Sequence, residues 1–224
     1  MDHTRHIGIY DARHYVITLI GTGGIGAMTA ITLAKMGIGK LILYDPDLVE
    51  AINIPVQFLK ISDVGKAKVI AVERAICEYA DSIAIEHWFQ KVVSGTQLAP
   101  SHITISAVDS IWARKEIWGS VKRQIPMWYI DARMSAEHFQ MYAVDMDNSS
   151  WYETSLAAQD DRKIPDEPCT YKATIYTACT AAGHIGAAVR RIITGCQHSE
   201  ILNHDIVGEH LSCLPMQTIK NNDS

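Results

Sequence analysis

In Gly21-Thr-Gly-Gly-Ile-Gly26, glycines stand at the first, third and sixth places of a short run that follows the aliphatic stretch Val16–Ile20. Residues of these types at this spacing suit a phosphate. Gly21 permits the tight turn, and Gly23 or Gly24 lets backbone amides approach an anion with no Cβ between. Gly26 lets the next helix pack closely on the strand. That helix, expected over 27–36, turns its amides and positive dipole end toward the anion. The pattern alone is common, and its context decides its meaning. Here the next apolar run, Lys40–Tyr44, leads into Asp45, roughly 20 residues beyond the glycines, where a doubly wound fold places a ribose-binding carboxylate. The competing reading of Asp45 is a strand-end turn residue beside Pro46.

The stretch after Asp45 separates two enzyme classes. A nicotinamide-dependent dehydrogenase needs only the glycines and Asp45. This chain adds Asp47, Glu50, Asn53, Gln57 and Lys68 in close succession, and Asp109 after a later strand. Two acids, an amide and a lysine around a phosphate cradle meet the needs of nucleotidyl transfer. These are a ribose anchor, a magnesium ligand, and cations for the charge that grows on the bridging phosphate oxygens.

These residues need a scaffold that brings them to one edge. Val16–Ile20, Lys40–Tyr44, 83–89, 102–108 and 126–130 read as buried strands of a parallel sheet. Helices are expected over 27–36, 63–79, Ile111–Gln124 and 170–193. Ser62 or Asp63 is expected to cap the second, with Val64, Ala67, Val69, Ala71, Val72 and Ile76 facing the sheet; Ser110 caps the third. Lys66 and Lys68 fall in the first turn of the second helix, the wrong end for its dipole, which asks for a reason. The run 139–145 alternates and reads as an antiparallel strand with one wetter face. A strand pair is expected within 206–216, and 220–224 reads as a frayed tail. The fold class is α/β: a Rossmann-like mixed, mainly parallel sheet, helices on both faces, and an antiparallel C-terminal extension. One domain spans 1–224, with 157–169 a mobile crossover loop, charged and bounded by prolines.

With 224 residues, 48% of them hydrophobic, the chain is long enough to bury one large core. A net charge of −5 and scattered lysines and arginines argue against a nucleic-acid surface. No apolar run approaches the roughly 20 residues of a membrane span, and the N-terminus lacks a signal segment, so a cytoplasmic protein is expected. Five cysteines (Cys77, Cys169, Cys179, Cys196 and Cys213) form no Cys-x-x-Cys pair and read as free thiols, most of them buried.

On these motifs the sequence resembles the ThiF/HesA/MoeB family, the adenylating core of the ubiquitin-activating-enzyme superfamily. The resemblance runs over about 17–191. It rests on Gly21 to Gly26, Asp45-Pro-Asp47 with Val49-Glu50, Asn53, Gln57, Val64-Gly65 with Lys68, and Val108-Asp109 with Arg114. It implies that Asp45 holds the ATP ribose, that Asn53 and Lys68 contact the triphosphate, and that Asp109 binds magnesium. The implied reaction is adenylation of a carboxylate, most simply the C-terminal glycine of a small ubiquitin-like or sulfur-carrier protein, with ATP and Mg as cofactors, in a homodimer. The wording around Asn53 and Asp109 is most similar to small stand-alone ThiF-type proteins of phages, plasmids and bacterial islands.

The chain departs from the family where an arginine usually precedes Gln57: the residue is Val56. An N-terminal helix with a phosphate-contacting arginine has little room in the short first arm, and the family's zinc-binding cysteine pairs are missing. Arg133 stays open between a replacement cation, an ordinary surface arginine and a salt bridge to Asp131. Cys169 stays open between a covalent nucleophile near a helix start and a residue chosen for its size. An NAD-dependent oxidoreductase and a catalytically silent nucleotide-binding scaffold are the alternatives. The helix over 170–193 is rich in Ala, Gly and Thr and apolar on most sides, so a second subunit is expected to cover it.

Overall fold

Strand β1 (Val16–Ile20) is apolar on both faces, and its backbone pairs with β2 (Lys40–Tyr44) on one side and β4 (Ile103–Ser106) on the other, both parallel. The computed structural model describes residues 8–81, 83–159, 173–197 and 199–214. A third parallel neighbour, β3 (Ala84–Trp88), closes one edge, and β5 (Trp128–Ser135) continues the sheet beyond β4. From β5 the pairing turns antiparallel through β6 (His138–Asp145), β7 (Ile201–Asp205) and β8 (His210–Leu214). The order is β3-β2-β1-β4-β5-β6-β7-β8, the mixed sheet expected from the sequence.

The strands' two-residue period sorts their side chains into two layers. Ile17, Leu19, Leu41, Leu43, Ile103, Ile105, Ile130 and Ala132 pack on α1 (Gly24–Lys35), α2 (Lys68–Tyr79) and α5 (Ile175–Ile193). Ile20, Ile42, Tyr44, Tyr129 and Val144 pack on α3 (Ile111–Gln124) and α4 (Ser150–Ala157). The second layer is the more polar: Thr18, Thr104, Ser106 and Asp131 alternate with its apolar residues and are all inaccessible.

Several elements differ from expectation. Helix α1 begins at Gly24 rather than Ala27, its first turn closed by Ala27 N–H donating to the Gly23 carbonyl at 2.8 Å. Packing overrides the low helix propensity of glycine there. Helix α2 begins at Lys68. Residues Ile61–Asp63 form a separate 3-10 turn, and Gly65, at φ +87°, breaks the path between them. Val64 is accordingly exposed, and Lys66 lies outside the helix. Strand β5 runs five residues past the expected end at 130, because pairing with β6 continues through Ser135 and His138. The face of β6 expected to be wetter is exposed only at His138 and half-buried at Gln140, because α4, a helix the sequence did not reveal, sets Trp151 and Tyr152 against Tyr142.

Helix α5 starts at Ile175 and is strongly one-sided, with Cys179, Gly183 and Ala187 on its exposed face. The closing strands lie at 201–205 and 210–214, earlier than expected. Cys77, Cys179, Cys196 and Cys213 are all exposed, against the expectation of buried thiols. No helix among the described residues is long and apolar enough to cross a membrane. Of the expected crossover loop only 157–159 is described, where α4 ends, and 160–169 lies outside the described residues, as do 1–7 and 215–224.

A Cβ on Gly26 would stand 2.0 Å from the Gly21 carbonyl oxygen, whereas one on Gly183 would meet nothing within 4 Å. Gly26→Ala should therefore destabilise by about 1–3 kcal/mol or prevent folding. Gly183→Ala should stabilise by about 0.5–1 kcal/mol through helix propensity alone. Urea midpoints of the two variants check this, and equal shifts in one direction would refute it.

Candidate functional site

The carboxyl ends of β1, β2, β4 and β5 meet along one edge, and the site is built there. Gly21 leaves β1 at φ +90° with its N–H donating to the Tyr44 carbonyl at 2.8 Å. A side chain is excluded, since its Cβ would lie 2.6 Å from the Ala107 carbonyl oxygen. The chain then enters α1 through Gly23, and no side chain caps the helix. The first amides of α1 are thus left for an external acceptor, with the positive end of the helix dipole behind them.

Residues 56 and 57 roof this helix start. The Val56 carbonyl oxygen lies 3.2 Å, and Gln57 Nε2 3.8 Å, from where Cβ atoms of Gly24 and Gly23 would stand. Gln57 is only 8% exposed, and its Oε1 is buried with no hydrogen-bond partner. A buried acceptor is thus left unsatisfied beside an uncapped helix N-terminus.

Asp45 is buried and fixes the glycine loop: its Oδ2 accepts from Thr22 N at 2.6 Å and Thr22 Oγ1 at 3.0 Å, and its Oδ1 from Asp47 N at 2.9 Å. Burial raises its pKa, against those hydrogen bonds and the charge of Lys68. Oδ1 retains a lone pair for a hydroxyl. Lys68, the first residue of α2, donates through Nζ to Asp47 Oδ2 at 2.8 Å, and its N–H donates to the Asp47 carbonyl at 2.9 Å. Its position at the unfavourable helix end is explained by this pairing. The Asp47 side chain is 60% exposed, that of Lys68 only 11%. Asn53 ends a 3-10 turn, and its Oδ1 accepts from Glu50 N at 2.9 Å, which leaves its NH2 to donate elsewhere.

Across the edge, Asp109 follows β4 just before Ser110 caps α3 by accepting from Ala113 N. Asp109 is exposed, and its carboxylate makes no hydrogen bond or ion pair with a described residue. Its loop is held from behind. Arg114 donates to the Val108 carbonyl, to Asp131 Oδ1 and, at 3.1 Å, to the Ala132 carbonyl. Asp131 is fully buried, and it also accepts from Ser106 Oγ at 3.0 Å, Tyr152 OH at 2.8 Å, and Arg133 Nε and Nη2 at 2.8 and 2.6 Å. Burial alone would raise its pKa. The charges of Arg114 and Arg133 outweigh that and hold the carboxyl below the usual range.

Of the sequence candidates, Gly21, Gly23, Gly24, Gly26, Asp45 and Gln57 meet at the α1 N-terminus; Asp47 and Lys68 join them through the Asp45 carboxylate, Asn53 through the Gln57 N–H that its carbonyl accepts, and Asp109 lies three residues beyond the end of β4. Arg133 makes the salt bridge to Asp131, with its guanidinium 4.4 Å above the Tyr142 ring. Cys169 lies outside the described residues. Sequence reasoning missed the roles of Thr22 and Tyr152, and saw Asp131 only as a partner for Arg133. A threonine inside a glycine loop and an aspartate inside a strand were the available signals. The uncapped helix start and the Gln57 Nε2 donor beside Gly23 fit a nucleotide's phosphates. The free Asp109 carboxylate is an oxygen donor of the kind a hard divalent cation takes.

Comparison with known proteins agrees with this geometry. A family model described as "ThiF family" matches residues 3–223. The chain is 30% identical over 120 residues to ubiquitin-like modifier-activating enzyme 5 of Rattus norvegicus, covering 47% of this chain and 30% of that protein. For the enzyme of Branchiostoma floridae the identity is 28% over 143 residues, covering 55% and 35%. Among solved structures, PaaA superposes with TM-score 0.71 at 20% identity, over 90% of this chain and 64% of that one. E. coli MccB, solved with ATP, gives TM-score 0.70 at 18% identity, over 92% and 64%. The chain thus spans about a third of the length of these curated relatives and somewhat under two thirds of these structures.

The Asp131 pairing predicts a pH signature. Its folded pKa is depressed, so its stabilisation is present above the unfolded value of about 3.9 and is lost as pH falls through the lower folded value. Asp131→Asn, which strands two guanidiniums, should cost about 3–5 kcal/mol near pH 7. The gap from the unmodified protein should narrow below about pH 4. Urea unfolding of both proteins across pH 2.5–7 measures it; a pH-independent gap would contradict the assignment.

Proposed function

The chain belongs to the ThiF family, and from that premise we propose that it is an ATP-dependent adenylyltransferase that activates a carboxylate as an acyl-adenylate with release of pyrophosphate. One observation carries this most: the uncapped N-terminus of α1 lies beneath the buried Gln57 side chain, whose Nε2 donor stands beside Gly23, on the same edge as Asp45, Lys68 and Asp109. The α1 amides and Gln57 would take phosphate oxygens. Asp45 Oδ1 would accept a ribose hydroxyl while Oδ2 keeps the loop closed through Thr22. Lys68, steered by Asp47, and the free NH2 of Asn53 would bear on the β- and γ-phosphates, where charge grows as pyrophosphate leaves. Magnesium, when bound at Asp109, would neutralise further phosphate charge. The incoming carboxylate is ionised at neutral pH, so no general base is needed; catalysis rests on positioning and charge.

The substrate reading is the C-terminal glycine of a small ubiquitin-like or sulfur-carrier protein. The relatives named as ubiquitin-like modifier-activating enzymes support it, as does MccB solved with MccA. A homodimer through the exposed small-residue face of α5 and a cytoplasmic location complete the proposal. An oxidoreductase would leave Lys68, Asn53 and Asp109 without a task. Val56, in place of the family's arginine, favours a silent nucleotide-binding scaffold as the second reading. Pyrophosphate exchange with candidate carboxylate partners separates the three.

Asp109→Ala should lower pyrophosphate exchange on the order of a hundredfold or more while retaining part of ATP binding; near-normal turnover with magnesium would remove Asp109 from the site. Lys68→Ala should weaken ATP binding more than AMP binding by calorimetry. Equal losses would make it a structural partner of Asp47 only.

A further inference from the structure

Along the sheet from β2 to β5 the site residues follow in order: Asp45 after β2, the glycine loop after β1, Asp109 after β4, and Arg133 in the part of β5 that overruns β4. Met134, beside Arg133, reaches within 3.4 Å of where a Cβ on Gly24 would stand, so this strand end borders the phosphate cradle. The charges there do not balance. Arg114 and Arg133 share the single carboxylate of Asp131, which leaves one positive charge uncompensated among the described residues. Described residues take three of the five N–H donors of Arg114, whose side chain is 3% exposed, while the Arg133 side chain is 13% exposed and so the more open to a solute. Of the five N–H donors of Arg133, described residues take three: two go to Asp131 Oδ2 and one, from Nη1, to Gln159 Oε1. A part-buried guanidinium with spare donors, pre-oriented by Asp131 and the Tyr142 ring, is a receptor for one further anion.

We infer that this anion is the carboxylate of the acyl substrate, so that Arg133 is its docking cation and not a substitute for the arginine missing at Val56. The inference rests on the adenylyltransferase reading. In-line displacement at the α-phosphorus requires the attacking oxygen to enter opposite the leaving pyrophosphate. Lys68 and Asn53 hold pyrophosphate on the β1–β2 side, so the carboxylate enters from the β5 side, where Arg133 stands. A carboxylate oxygen forms the new bond to the α-phosphorus, the bond from that phosphorus to the α–β bridging oxygen breaks with its electron pair leaving on pyrophosphate, and no proton moves. Arg133 orients the carboxylate through a second N–H pair while Asp131 keeps the guanidinium in plane.

The test uses the protein with magnesium and a non-hydrolysable ATP analogue, and N-acetyl-glycylglycine as probe, in its free-acid and C-terminal amide forms. The acid is expected to shift the NMR resonance of the Arg133 Nε–H and to bind at least tenfold tighter than the amide. Arg133→Gln should abolish that preference and leave affinity for the ATP analogue within about twofold. Loss of ATP affinity with the acid preference kept would make Arg133 a phosphate contact; no change in either would make it solely the partner of Asp131. Either result overturns the inference. If Arg133→Gln fails to fold, Gln159→Ala, which spares the Asp131 pair, should tighten acid binding severalfold by freeing a third donor, and unchanged binding refutes the proposal. Failure of the unmodified protein to bind the ATP analogue would instead sink the adenylyltransferase reading itself.

Discussion

A carboxylate removed from water between two guanidiniums holds the working edge of this protein together. Asp131 ties Arg114 of α3, Ser106 of β4, Tyr152 of α4 and Arg133 of its own strand into one cluster. Removing a charge from water costs several kcal/mol, and only a nearly complete set of partners offsets it. That demand gives the cluster a single arrangement. Because Arg114 also donates to the Val108 carbonyl, the position of Asp109 follows from a contact made in the interior. The tyrosines share in it: burial and the Asp131 charge both push the Tyr129 hydroxyl up, so it stays neutral and bonds to Ser106.

The other lip of the site is fixed by close approach and not by charge. Gly26 lies against the Gly21 carbonyl and Gly21 against Ala107, so β1, α1 and the end of β4 meet with no side chain between them. Asp45 then closes the loop through both donors of Thr22. Both oxygens of this one carboxylate hold backbone in place, Oδ2 through Thr22 and Oδ1 through the Asp47 N–H, and Oδ1 keeps a lone pair besides.

Charge is arranged asymmetrically along this edge. Lys68 is matched by an exposed Asp47, so its ammonium is placed without being neutralised from all sides, while Asp109 is an anion with no described partner. Toward β5 the balance is one carboxylate to two guanidiniums. A triphosphate, a divalent cation and a second anion are complementary to those three positions in turn, and the Gln57 amide supplies a neutral roof between them.

Much of this was legible in the chain. The aliphatic runs of β1, β2 and β4, the glycine spacing and Asp45 at a strand end follow from local rules, since a strand buried on both faces and a turn lacking Cβ atoms leave marks within a few residues. The antiparallel turn at β6 and the Ser110 cap were likewise local. Helix α4, the late start of α2 and the overrun of β5 were not, because each is decided by a partner outside the element itself: Tyr142 and Tyr129 for α4, the Asp47 carbonyl that takes the Lys68 N–H for α2, and β6 for β5. The same holds within the site. Sequence supplied the candidates Asp45, Lys68, Asp109 and Arg133 as residue types. Only the tertiary structure decided that Asp45 is shared with Thr22, that Lys68 is steered by Asp47, and that Arg133 and Arg114 converge on one carboxylate, because hydrogen-bond partners and charge balance are properties of neighbours in space.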